Sequence, residues 1–238
     1  MSYSFGPGPL TPAVKWLVIA NVVAFLVSRL VPVVALDGGL IPRQVVHQFA
    51  VWQLVTYMFL HAGVSHILFN LLSLWMFGVE LERTWGSRFF TRYYFICGIG
   101  AGVSQIIAGL LPFGPLSVLY DSQTIGASGA IYGVLLAYAL LFPNRPILIY
   151  FIFPVPARIL VAIMGGISLL SAMEGGGGVA HVAHLGGLVV GYVYLKGGTR
   201  NPLANLQYHY LQWKMRRRLW KFSVYAGGRS RDIDRRIH

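Results

Sequence analysis

The chain has 238 residues and a mass of 26.3 kDa; 56% of its residues are hydrophobic and 11% charged, where a soluble globular domain carries about 25% charged residues. With a mean hydropathy of +0.63, this composition excludes a disordered chain, a coiled coil and a disulfide scaffold, and it points to an integral membrane protein. Lys and Arg number 19 against 7 Asp and Glu, for a net charge of +12.

A membrane-spanning helix needs about 20 mostly apolar residues, and the sequence offers six such segments, near 13–35, 61–79, 89–111, 127–142, 157–173 and 179–195. The first is too long for the apolar core of a signal peptide, and no small-residue cleavage site follows it, so it is read as a retained span. The single cysteine, Cys97, lies in the third segment and cannot form an intramolecular disulfide; it is expected to act as a small hydrophobe. The fourth segment is short and begins in the glycine-rich stretch GASGAIYG. Between the fourth and fifth, Pro143, Pro146, Pro154 and Pro156 interrupt an apolar run, which predicts a loop in or near the interface.

After the sixth segment the charge changes character. Residues 201–238 hold nine basic and two acidic side chains, +7 of the net +12. A basic segment next to a span is what the positive-inside rule produces, so the excess does not call for nucleic acid as a partner. Around 203–223, Trp213, Leu219, Trp220 and Phe222 alternate with Lys214, Arg216, Arg217, Arg218 and Lys221. That pattern predicts an interfacial helix suited to anionic lipids. The organisation expected is therefore an N-terminal segment 1–12, a six-helix core 13–196 and a basic tail 197–238. Arg83, Arg88, Arg92, Arg145, Arg158 and the tail fall on one side, and Arg43, Asp37, Asp121 and Glu174 on the other. This bias puts both termini on the cytoplasmic side. The second, fourth and sixth spans then run in the same direction.

An ionisable or strongly polar residue inside a span is expensive and marks a candidate functional site. His61, His66 and Asn70 lie near the outer end of the second span, Ser128 at the start of the fourth, and His181 and His184 near the outer end of the sixth. His66 and Asn70 are four apart and share a helix face, whereas His61, five before His66, is expected to point elsewhere. At 1.5 Å per residue, His66 and His184 both lie roughly 7–8 Å below the outer end, at a depth similar to that of Ser128. A serine, a histidine and a pair of hydrogen-bond donors at one level make a nucleophile, a base and an oxyanion site. Gly129 with Gly133, and Gly187 with Gly191, form two G-x-x-x-G pairs. Such pairs let backbones approach closely, which predicts contact between spans four and six and brings His184 within reach of Ser128. Other intramembrane chemistries lack their residues. No His is followed by Glu as a zinc metalloprotease requires, and no Asp pair lies inside the spans. The sequence calls for no metal and no cofactor.

Taken together, these motifs resemble the rhomboid intramembrane serine proteases over residues 13–196. The family's G-x-S-G is matched by Gly126, Ala127, Ser128 and Gly129, and its A-H-x-x-G-x-x-x-G by Ala183, His184, Gly187 and Gly191. The resemblance implies an all-α integral membrane protein, a six-transmembrane-helix rhomboid-like bundle. It assigns Ser128 as nucleophile and His184 as base, with His181 a bystander. It puts His66 and Asn70 at the oxyanion and substrate site together with Gly126 and Gly129, and packs Tyr132 on the catalytic histidine. Gly78, Glu82 and Gly86 match a structural G-x-x-x-E-x-x-x-G, and His61 a position that supports loop structure. Trp52 matches a first-loop tryptophan, and Gln53 stands where the family usually carries arginine.

The activity so implied is endopeptidase cleavage of single-span membrane proteins near the outer face, through an acyl-enzyme. The alternative of the same family is a catalytically silent protein that binds membrane clients. A six-helix transporter, or a purely structural scaffold, is the alternative outside it. Compact size and the lack of a transit peptide favour a prokaryotic plasma membrane.

Overall fold

The computed structural model describes residues 7–111, 114–149, 152–173 and 179–198; the interfacial helix expected at 203–223 lies outside them. Among the described residues six helices of 14 residues or more dominate: α1 (Pro12–Leu30), α2 (Val64–Trp85), α3 (Ser87–Gly109), α4 (Ser128–Leu141), α5 (Ala157–Met173) and α6 (Val179–Gly198). They coincide with the six apolar segments, and their ends differ for local reasons. α1 stops five residues short of 35 because Pro32 follows, and a residue before proline is pushed out of the helical region; Val31 has φ −127° and ψ 86°. The chain then makes short helices at Pro32–Gly38, Pro42–Gln48 and Gln53–Thr56 and a 3₁₀ turn at Tyr57–Phe59. α2 starts at Val64 rather than 61 and runs on to Trp85 rather than 79, through a π turn at Leu74–Gly78.

Glu82 explains how α2 carries a carboxylate in its last turns. The side chain is 3% exposed. It accepts hydrogen bonds from the Ala13 N–H at 2.8 Å, the Val14 N–H at 2.9 Å, the Ser87 hydroxyl at 2.6 Å and the Thr11 hydroxyl. The two backbone donors belong to the first turn of α1, where N–H groups have no helical partner and negative charge is favoured. Ser87 opens α3, so one carboxylate ties together the ends of three helices.

Burial is inverted relative to a soluble protein. α1 buries Val14 and Leu17 but also Asn21 and Ser28, and it exposes Trp16, Val23 and Leu26. α5 buries Ala157, Val161 and Ser168 while Ile159, Ile163, Ile167 and Leu170 face outward. A helix in water turns its polar face outward; these helices are built for an apolar surrounding. α1 and α2 are long and apolar enough to cross a membrane, and α4 and α5 are apolar but shorter.

α4 is buried nearly all round, through Gly129, Ala130, Ile131, Gly133, Val134, Leu135, Ala137 and Tyr138, as expected of a helix with no polar face. α3 packs against it through Tyr93, Cys97, Gly98 and Ala101. Two tyrosines bridge to backbone carbonyls: the Tyr93 hydroxyl donates to Gly133 O at 2.8 Å and the Tyr57 hydroxyl to Gly98 O at 2.6 Å.

The all-α expectation needs one correction. The proline-rich link read as an interfacial loop holds a two-stranded antiparallel hairpin, β1 (Pro146–Ile149) and β2 (Phe153–Pro156), with Pro146 opposite Pro156 and Leu148 opposite Pro154. Proline is tolerated there because both strands of an isolated ribbon are edge strands, with positions that need donate no ladder hydrogen bond. The Ala157 N–H donates to Arg145 O at 3.0 Å to close the hairpin base, and Arg145 pairs with Glu80 of α2.

Candidate active site

The site is assembled where the chain enters α4. Gly126 has φ +121° and donates its N–H to Tyr57 O at 2.8 Å. A side chain there would be strained by that φ, and a Cβ would lie 2.7 Å from His66 Nε2. Two residues later Ser128 begins the helix, so its backbone N–H lies in the first turn, without a helical acceptor.

α6 approaches α4 at the closest range the backbone allows. A Cβ on Gly187 would fall 1.9 Å from Gly129 O, and one on Gly191 would fall 3.3 Å from Gly133 Cα. The expected contact between the fourth and sixth segments is present, and glycine is what permits it. One turn before Gly187, His184 Nε2 lies 2.7 Å from Ser128 Oγ, a separation suited to direct proton transfer. The Tyr132 ring stacks on His184 with centroids 4.2 Å apart and planes 6° from parallel. His181 meets the other histidine edge-on at 5.8 Å and makes no recorded hydrogen bond to Ser128. His184 Nδ1 has no hydrogen-bond partner among the described residues, so none of their carboxylates orients this imidazole as a third member of a triad would.

From α2, His66 and Asn70 line the same region. The Ala62 N–H donates to His66 Nδ1 at 3.3 Å, which leaves Nε2 as the protonated nitrogen, next to Gly126. Asn70 is 6% exposed, and its amide donates to His66 O at 2.7 Å; that uses one of its two hydrogens. His61 departs from expectation. Its ring lies 5.0 Å from that of His66, edge to face, and its Nδ1 donates to Phe59 O at 3.3 Å. It precedes the first residue of α2, so helical spacing does not govern where it points.

Trp52 and Gln53 belong to the loop beside the site. Trp52 Nε1 donates to Asp37 O at 3.1 Å. Gln53, 1% exposed, donates to Asp37 O at 3.1 Å and to Gln44 Oε1 at 2.6 Å, and its Oε1 accepts the Ile41 N–H at 3.0 Å. A neutral amide thus organises the loop through both of its ends. Leu40 and Thr124 then exchange backbone hydrogen bonds of 2.9 and 2.8 Å, which joins this loop to the segment leading into Ser128. Among the described residues, no group of three or more His, Cys, Asp or Glu is placed to hold a metal ion.

Two contributors escaped the sequence reading. Tyr57 anchors both Gly126 and Gly98, and Ser168 of α5 hydrogen-bonds Tyr132. The available signal for Ser168 was its place seven residues after Val161, on the stripe that α5 buries.

A rhomboid domain model matches residues 48–200, more than half of the chain. The chain belongs to the rhomboid family. It is 32% identical over 145 residues to the mitochondrial RHOMBOID-like protein 12 of Arabidopsis thaliana, which covers 58% of this chain and 43% of that protein. It is 33% identical over 142 residues to the mitochondrial Rhomboid protein 1 of Saccharomyces cerevisiae, 57% of this chain and 38% of that one. To the Rhomboid protease GluP of Bacillus subtilis it is 34% identical over 143 residues, 59% of this chain and 25% of that one. The match thus spans between a quarter and under half of the length of these relatives. Family membership makes the chain a helical integral membrane protein. Two of these relatives are named as mitochondrial, which overturns the expectation of a prokaryotic plasma membrane. The basic bias orders the helices relative to one another but carries no compartment, and neither does chain length.

Proposed function

We propose that this rhomboid is an active serine endopeptidase that cuts single-span membrane proteins, with Ser128 as nucleophile and His184 as base. The observation that carries the reading is the 2.7 Å approach of His184 Nε2 to Ser128 Oγ beneath a stacked Tyr132. His184 takes the hydroxyl proton as Ser128 Oγ adds to the scissile carbonyl. The resulting oxyanion is held by the Ser128 N–H, His66 Nε2–H and the second amide hydrogen of Asn70, with Gly126 keeping the space beside it open, while Gly129 faces Ala101 and Ala183 and serves the helix packing. Each such donor is commonly worth about 3–4 kcal/mol. His184 then protonates the leaving amine, and water activated by the same imidazole breaks the acyl ester and restores Ser128.

In this reading α1–α6 are six spans and residues 13–196 form the catalytic domain. A helix of 14 residues rises about 21 Å against a hydrocarbon core of about 30 Å. α4 therefore starts below the membrane surface, and Ser128 sits at a depth that water can reach, on the face opposite the basic loops. A substrate helix must unwind there, because its peptide carbonyls are otherwise enclosed. The test is a single-span reporter co-reconstituted in liposomes, with products located by mass spectrometry. Wild type should release fragments cut in the outer part of the reporter's span and Ser128→Ala should release none. Equal cleavage by both proteins would reject the assignment, and an uncut reporter with the folded wild type would favour client binding without proteolysis.

A further inference from the structure

We infer that Ser168 of α5 is a positioning residue for His184, acting through Tyr132; this rests on the Ser128–His184 reading above. His184 is held on one side only by its contact with Ser128, since Nδ1 has no partner among the described residues. Its plane is therefore set by what packs on its face, and that is the Tyr132 ring, 6° from parallel. A ring on a helix retains freedom about its second side-chain torsion unless its far end is fixed. The far end is fixed here. Ser168 Oγ donates to the Tyr132 hydroxyl at 3.1 Å.

The surroundings of Ser168 single it out further. It is 1% exposed, and the other buried residues of α5 are Ala157 and Val161. A hydroxyl at such a position costs stability unless it is hydrogen-bonded. Ser168 can back-bond to its own helix at no cost to the neighbour, yet the bond recorded crosses to α4. The path Ser168, Tyr132, His184 thus supplies, by packing and one hydrogen bond, the orienting part of what a carboxylate on Nδ1 does in a triad.

The test compares inactivation by a fluorophosphonate in wild type, Ser168→Ala, Ser168→Cys, Tyr132→Phe and the double variant Tyr132→Phe/Ser168→Ala. In folded protein, losing one neutral hydrogen bond should lower kinact about fivefold in Ser168→Ala and in Tyr132→Phe, with KI unchanged. Ser168→Cys, which fills the same space with a weaker donor, should fall between them and wild type. The double variant should be no slower than either single one. Wild-type kinact in Ser168→Ala, or a double variant as slow as the product of the two singles, would overturn the inference. If Ser168→Ala fails to fold, Tyr132→Phe removes the same bond from the other end. A second readout does not need a reactive serine: the ring-current-shifted Cε1–H resonance of His184, assigned with His184→Asn. It should move toward the position of an unstacked imidazole in Ser168→Ala and Tyr132→Phe. If wild type resists the probe while this resonance still moves, the protease reading fails and the positioning role stands; an unmoved resonance removes the positioning role itself.

Discussion

α2 carries polar side chains at both ends, and the two ends are finished in opposite ways. At the Trp85 end, Glu82 accepts four hydrogen bonds, three from the start of α1 and its cap and one from the start of α3. At the other end, Asn70 bonds among the described residues only to its own helix, and His66 accepts one weak backbone bond while its second nitrogen faces Gly126. Buried polar groups that hold a fold together are saturated, because each open valence costs about 1–3 kcal/mol. Groups that must meet a substrate keep a valence open and draw their stability from elsewhere. Here it comes from the glycine-mediated contact of α4 with α6 and from the loop organised by Gln53.

The contrast can be broken at three points. The largest effect is expected at Gly187. A Cβ there meets a backbone oxygen at 1.9 Å, so Gly187→Ala forces the helices apart, and a misplacement of about 1 Å can cost roughly a hundredfold in rate. Fluorophosphonate labelling should fall by that order although the residue carries no reactive group; labelling at the wild-type rate would show that the close approach is dispensable. Next is Glu82→Ala, which strands the Ala13 and Val14 N–H groups and should cost about 3 kcal/mol. Thermal unfolding in detergent should show a clearly lower midpoint, with labelling near wild type while the protein is folded. Loss of labelling in folded protein would mean that the two ends of α2 are not separable. The smallest is Gln53→Arg. Arginine has no acceptor for the Ile41 N–H, so this exchange should cost about 1–2 kcal/mol and speed hydrogen exchange at Ile41. Unchanged protection would mean that the loop accepts either residue.

Much of this arrangement is legible in the sequence because membrane helices write themselves in hydropathy, and all six apolar segments correspond to helices. Ser128, His184, His66 and Asn70 stand out because polar residues inside apolar runs are few. The approach of His184 to Ser128 follows from two G-x-x-x-G pairs, which encode backbone distance in residue type. The rest depends on contacts between segments far apart in the chain. The extension of α2 past Glu80 needs the partners of Glu82, which come from α1 and α3. The ring contact of His61 with His66 depends on a loop path that no helical period describes. Ser168 looks like any serine in a membrane helix until α4 is laid against α5. The pairing of Pro146–Ile149 with Phe153–Pro156 is not legible in the sequence, because prolines read as strand breakers when the neighbouring strand is unknown.

The central claim is that Ser128 is an activated nucleophile whose base is His184. Labelling of the detergent-purified protein with a fluorophosphonate tests it most directly, with wild type beside Ser128→Ala and His184→Ala at matched melting temperatures. The account predicts a labelled wild type and two unlabelled variants. A labelled Ser128→Ala, or a folded wild type that does not react, would contradict it.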